Sequence, residues 1–127
     1  MTDPRSKPVV WVGNSRHDLR AFPPAVQRGI GFALRQAQEG RKHPDAKPLK
    51  GFGGASVLEV VEDHDGDTYR AVYTVRFSDA VYVLHAFQKK SSKRISTPKH
   101  VMDVIHSRLK DAERIHAVRT REGGLHG

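Results

Sequence analysis

"SVLEVVEDHDGDTYRAVYTVRF", residues 56–77, decides the architecture. Two β-rich runs, at 56–62 and 68–77, flank the turn signal DHDGD at 63–67. In the second run Tyr69, Ala71, Tyr73, Val75 and Phe77 alternate with a set that includes Thr68, Arg70, Thr74 and Arg76. That period of two is a strand with one apolar face, and Tyr73 is expected in the core. In the first run Leu58 and Val60 share a face and Glu59 takes the other. Across the DHDGD turn, Glu59 and Arg70 are expected opposite each other on the outer face. Two readings of Arg70 follow. One is a cross-strand ion pair, which contributes little if exposed. The other is an arginine held for a phosphate, with Glu59 orienting it. DHDGD is not a calcium loop, because its sixth position is Thr68 and its twelfth Thr74, where glycine and glutamate are required.

Downstream, AVYVLHAFQKK opens a third strand over 80–88 that is apolar on both faces, as an interior strand is. His85, Phe87 and Lys89 fall on one side of it. A ring to stack a base, cations for phosphate and a group able to move a proton are what an RNA surface needs. The strand runs into a basic cluster, Lys89, Lys90, Lys93 and Arg94. Thr97-Pro98 then starts a helix whose apolar stripe is Val101, Ile105, Leu109 and Ala112.

Upstream, VVWV at 9–12 is a short strand ended by Gly13-Asn14. Ser15 and Asp18 have the spacing of a capping box for a short helix. Pro23-Pro24 ends that helix and begins another, with Val26, Ile30, Ala33, Leu34 and Ala37 on one face and Gly40 just past its end. Residues 41–55 read as a loop carrying Lys47 and Lys50. The order is β-α-α-β-β-β-α, an α+β class with a twisted, mainly antiparallel sheet flanked by helices. Residues 1–118 form one domain and 119–127 a tail expected to be disordered.

Composition narrows the function. The chain has 127 residues, 22 Lys+Arg against 14 Asp+Glu, and a net charge of +8. Ten Lys/Arg and four Asp/Glu lie in the last 40 residues, so most of the excess is there. Such a balance puts nucleic acid first among partners. There are no cysteines, which excludes disulfides, thiolate metal sites and a cysteine nucleophile. The eight histidines are scattered without a metal-ligand spacing. No metal or cofactor is expected, no membrane contact, and a cytoplasmic location.

Together, VVWVGNSRHDLRAFP, KPLKGFGGASVLEV, YRAVYTVRF, YVLHAFQKK and TPK resemble the RelE/ParE toxin superfamily of type II toxin–antitoxin systems, in its phage-derived HigB-like branch. The likeness runs from about Val9 to Ile115. It implies a small basic domain with a twisted antiparallel sheet, and a metal-free endoribonuclease that cuts mRNA, usually on the ribosome. It also implies a helix-turn-helix antitoxin as partner, with operator DNA bound only through that complex. The family's basic strand-end residues map onto Lys89 and Lys90, and its strand arginine onto Arg70. Two departures stand out: Arg94 lies where relatives tend to have glycine, and no tyrosine follows Tyr82. ParE-like members act on DNA gyrase without nuclease activity, so membership alone does not establish RNA cleavage. The expected catalytic set is Arg70, Lys89, Lys90 and His85. Lys47, Lys50, Phe87, Lys93, Arg94 and Lys99 are expected to bind RNA. The alternatives are a ParE-like gyrase inhibitor and a non-toxic phage-derived nucleic-acid-binding protein.

Overall fold

A computed structural model describes residues 6–89 and 97–124. The elements are β1 (Val9–Trp11), α1 (Ser15–Arg20), α2 (Pro24–Gln38), β2 (Ala46–Pro48), β3 (Val57–His64), β4 (Asp67–Thr74), β5 (Val81–Lys89) and α3 (Lys99–Gly124). They form one five-stranded sheet in the order β1-β5-β4-β3-β2, with β1 parallel to β5 and every other pair antiparallel. The expected α+β order holds, with one added strand. β2 lies in the stretch read as a loop. Three residues are too few to show a period, and Pro48 is compatible with pairing only because β2 is an edge.

The hairpin is tighter than expected. Asp65 (φ 49°) and Gly66 (φ 86°) make a two-residue turn between His64 and Asp67, which face each other. Two successive positive φ values are the type I′ signature, which Asp-Gly accommodates and which matches the twist of paired strands. The register therefore differs from a five-residue turn: Arg70 faces Val61, and Glu59 faces Val72. Glu59 and Arg70 keep the same face but meet on the diagonal.

Each face of the sheet carries its own core. On one, Val26, Ile30, Ala33, Leu34 and Ala37 of α2 pack on Leu58, Val60, Ala71, Tyr73, Val81 and Val83. On the other, Ile105, Leu109 and Ala112 of α3 pack on Val57, Val72, Tyr82 and Leu84. The face expected to be outer is thus covered by α3. A β-bulge sets what β5 shows to that face. Tyr73 pairs with Val83 but Val72 with His85, so Leu84 is extra. An extra residue re-aims the strand beyond it. Leu84 and His85 consequently both belong to the α3 side, and Phe87 and Lys89 follow.

Helix ends differ in detail from expectation. Gly40 (φ 78°) closes α2 as predicted: its N–H donates to the Ala37 carbonyl and that of Arg41 to Gln36, the two bonds of a Schellman motif. Ser15 is not a cap. It is fully buried, and its hydroxyl donates to the Val83 carbonyl at 3.1 Å, fixing α1 to β5. Thr97 likewise turns its hydroxyl to Glu59 Oε2, at 3.3 Å, instead of capping α3. α3 continues through Arg119 to Gly124, where the sequence reading placed a disordered tail. An ion pair, Arg119 Nε to Asp79 Oδ2 at 3.5 Å, anchors that part of the helix. No helix among the described residues is long and apolar enough to cross a membrane.

Candidate active site

Among the described residues, Arg70 (5 % exposed) and Lys89 (8 % exposed) are the charged side chains that are buried. Charged groups are almost never buried without partners or a purpose. These two stand on neighbouring strands and the same face: Arg70 faces Phe87, and Lys89 is two pairs further along, facing Thr68. The Arg70 guanidinium donates through Nη1 to Glu59 Oε1 at 3.0 Å. The other oxygen of Glu59 accepts from Thr97. Glu59 is thereby fixed from two sides, by a strand arginine and by the residue that leads into α3.

Lys89, expected as a basic strand-end residue, is buried at the end of β5, where it pairs with Thr68 of β4. Burial, and then the positive charge of Arg70, push its ammonium below the ordinary lysine range, while Glu59 pulls the other way. Such a lysine gives up its proton more readily than one in water. Lys47 of β2 faces Glu59 across the edge pair. With Glu59, Val61, Asp63 and Arg70 it lines an open cleft of about 460 Å³.

His85 and Phe87 continue the same face. Their rings stack with centroids 5.1 Å apart and planes at 22°. Arg108 of α3 donates through Nη1 to His85 Nδ1 at 2.7 Å and to the Leu84 carbonyl at 3.1 Å. Guanidinium only donates, so Nδ1 accepts and the ring's proton is on Nε2. Burial and then Arg108 lower the His85 pKa below its ordinary value, with Asp18 opposing. The imidazole is held neutral, as a donor at Nε2. Gly13 (φ +57°) makes room for this arrangement, because a Cβ there would lie 2.7 Å from Arg108 Nε.

Of the expected residues, the fold brings together Arg70, Lys89 and Lys47, with His85 and Phe87 alongside. Lys99 is exposed at the start of α3, two residues after Thr97. Lys50 is exposed beyond β2 and does not line the cleft. Lys90, Lys93 and Arg94 lie outside the described residues. Sequence reasoning missed Thr97 and Arg108. Neither has a local signal: Thr97 reads as a helix cap, and Arg108 as one more cation on a basic helix.

The sequence pattern of the family described as phage-derived protein Gp49-like matches residues 17–110, most of the chain and all of this site except Gly13. The chain belongs to that family. Its Gp49-like fold is also the RelE fold, in keeping with the resemblance to the RelE/ParE superfamily. The Escherichia coli toxin RelE, an arginine-to-alanine double mutant in the free state, is similar at a TM-score of 0.53 and 15% identity, over 84% of this chain and 97% of that one. The toxin–antitoxin complex RelBE2 from Mycobacterium tuberculosis is similar at a TM-score of 0.44 and 18% identity, over 72% of this chain and 100% of that one. Among curated proteins, none matches the chain significantly in sequence.

Proposed function

We propose that this Gp49-like protein is the toxin of a toxin–antitoxin pair and cleaves mRNA without a metal, on translating ribosomes. The observation that carries the reading is the buried pair of cations, Arg70 and Lys89, beside a carboxylate fixed by Arg70 and Thr97. The RelE-like fold supports it, since RelE is a toxin, and so does the net charge of +8. A helix-turn-helix antitoxin neutralises the protein in the cytoplasm, and operator DNA is met only through that complex.

The chemistry needs three things of RNA: a deprotonated 2′-OH, a stabilised phosphorane and a protonated leaving oxygen. Glu59 accepts the 2′-OH proton. The 2′-oxygen attacks phosphorus and the bond to the 5′-oxygen breaks, giving a 2′,3′-cyclic phosphate and a 5′-hydroxyl. Lys89, whose lowered pKa suits it as an acid, delivers a proton to the 5′-oxygen. Arg70 holds the charged equatorial oxygens, and Lys47 draws the strand in. His85, expected as a member of the catalytic set, is not a base here, because Arg108 occupies Nδ1 and Nε2 carries the proton. It serves as a hydrogen-bond donor.

The test is to incubate the purified chain with end-labelled mRNA, with and without ribosomes, in EDTA. Fragments ending in a 2′,3′-cyclic phosphate are expected. If RNA stays intact in both arms while induced cells stop DNA synthesis before protein synthesis, the gyrase reading replaces this one.

A further inference from the structure

A groove of about 760 Å³ is lined by residues 85–88 of β5, Tyr69 of β4, and α1 with the α1–α2 connection. β1 reaches only as far as Val83 along β5, so residues 85–88 form one bank of the groove and α1 the other. Phe22, Tyr69 and Phe87 are its aromatic lining residues. Phe22 and Tyr69 are tilted against each other at 4.9 Å, a preformed apolar corner. Its polar lining residues are His17, Asp18, His85 and Gln88. No hydrogen bond or ion pair among the described residues takes up the Asp18 carboxylate.

We infer that this groove is a nucleobase pocket that prefers guanine, holding the unstacked base beside the phosphate that Arg70 and Lys89 grip. The inference rests on the RNA-cleavage reading above and names part of its substrate. Single-stranded RNA is recognised by splaying a base onto aromatic side chains and reading its Watson–Crick edge. Phe87 joins the two sites, since it walls the groove and is also the cross-strand partner of Arg70. The polar rim selects the base. A carboxylate only accepts, and guanine alone among the RNA bases presents two adjacent N–H groups, N1–H and N2–H, to accept from. Adenine and cytosine would set a ring nitrogen acceptor against Asp18, and uracil a carbonyl on each side of its single N–H. Such a mismatched pair repels and gives selectivity. The Nε2–H of His85, fixed by Arg108 on the opposite edge of the ring, is the matching donor for guanine O6.

Titration of the full chain with 5′-GMP, 5′-AMP, 5′-CMP and 5′-UMP by NMR tests the pocket. Binding of 5′-GMP about tenfold tighter than the others is expected, a typical discrimination for a bidentate base contact. Asp18→Asn should reduce that preference to near unity without changing the melting temperature. As a second measurement on unaltered protein, 5′-GMP should inhibit cleavage about tenfold better than 5′-UMP. Equal affinity for all four nucleotides, or a preference that survives Asp18→Asn, overturns the inference. So does a groove that takes no nucleotide but shifts its His17 and Tyr69 resonances on adding an antitoxin peptide. Cleavage without base preference removes the pocket and leaves the nuclease. A 5′-GMP preference without cleavage removes the nuclease and leaves the pocket.

Discussion

The two faces of the sheet are built from the same strands and do different work. The α2 face is a continuous apolar layer from Val26 to Ala37 on one side and Leu58 to Val83 on the other. The α3 face is apolar only over Val57, Val72, Tyr82 and Leu84. Further along the same strands it turns into Glu59, Arg70 and Lys89. α3 covers the first part with Ile105, Leu109 and Ala112. The charged part is met by Thr97, before the helix begins. One face thus spends its burial on stability. The other gives up part of that stabilisation to hold charges out of water, where each is worth more electrostatically.

The largest expected effect is Lys89→Met. If Lys89 is the acid, cleavage should fall by about 10²- to 10⁴-fold, the usual contribution of a positioned acid or base. The melting temperature should hold or rise, because an apolar side chain of similar length replaces a buried charge. Stopped assays on end-labelled RNA and a thermal melt read both. Undiminished cleavage would move the chemistry off this face.

Next is Glu59→Gln. It leaves Arg70, 5 % exposed, without its carboxylate. Removing one partner of a buried pair costs about 3–5 kcal/mol, which denaturant unfolding measures. Cleavage should fall as well, since the amide cannot accept the 2′-OH proton. Arg70→Lys separates the two roles of the arginine. Lysine keeps the charge but not the planar fork, so it should fold and cleave poorly. Were Glu59→Gln to leave stability unchanged, the charged half would behave as a surface, and the contrast between the faces would fail.

How much of this the sequence carries depends on the range of the pattern. The period-two run from Tyr69 to Val75 and the helical spacing from Val26 to Ala37 are local, and both were legible. The shared face of His85, Phe87 and Lys89 was legible for the same reason. β2 was not, because its three residues take their structure from β3. Nor was the register of the hairpin. DHDGD marks a turn, but only the positive φ of Asp65 and Gly66 says that two residues make it. The bulge at Leu84 is invisible too, since it arises where β5 changes from pairing with β1 to passing α1. The candidate site was legible as an inventory: Arg70, Lys89, His85 and Phe87. Its wiring through Thr97 and Arg108 was not, because those contacts join residues 38 and 23 positions apart.

Arg108→Ala sharpens the comparison at the boundary between core and site. The folded His85 titrates below its ordinary value of 6.5. The unfolded chain therefore holds the extra proton between the two values, and stability rises with pH across that window and is flat above it. Removing Arg108 deletes the second cause of the shift and leaves burial. The His85 pKa, followed by NMR, should move up towards 6.5, and the acid-side loss of stability should shrink. An unmoved titration would mean that Arg108 does not fix the tautomer.

The smallest effect belongs to the α2 face. Tyr73 is fully buried there, and its hydroxyl has no hydrogen-bond partner. Burial alone pushes its pKa up to about 12, so the phenol stays neutral at all working pH. An unsatisfied buried hydroxyl costs about 1–3 kcal/mol, partly offset by the packing of the oxygen itself. Tyr73→Phe keeps the ring and removes the hydroxyl. The protein should be as stable as before or up to about 1 kcal/mol more stable, with cleavage unaltered, because the ring faces away from Arg70 and Lys89. A variant that unfolds more easily would show that the hydroxyl is satisfied in solution by a water. A variant that folds but cleaves less would show that the two faces are coupled through β4, which carries Tyr73 and Arg70 on opposite sides.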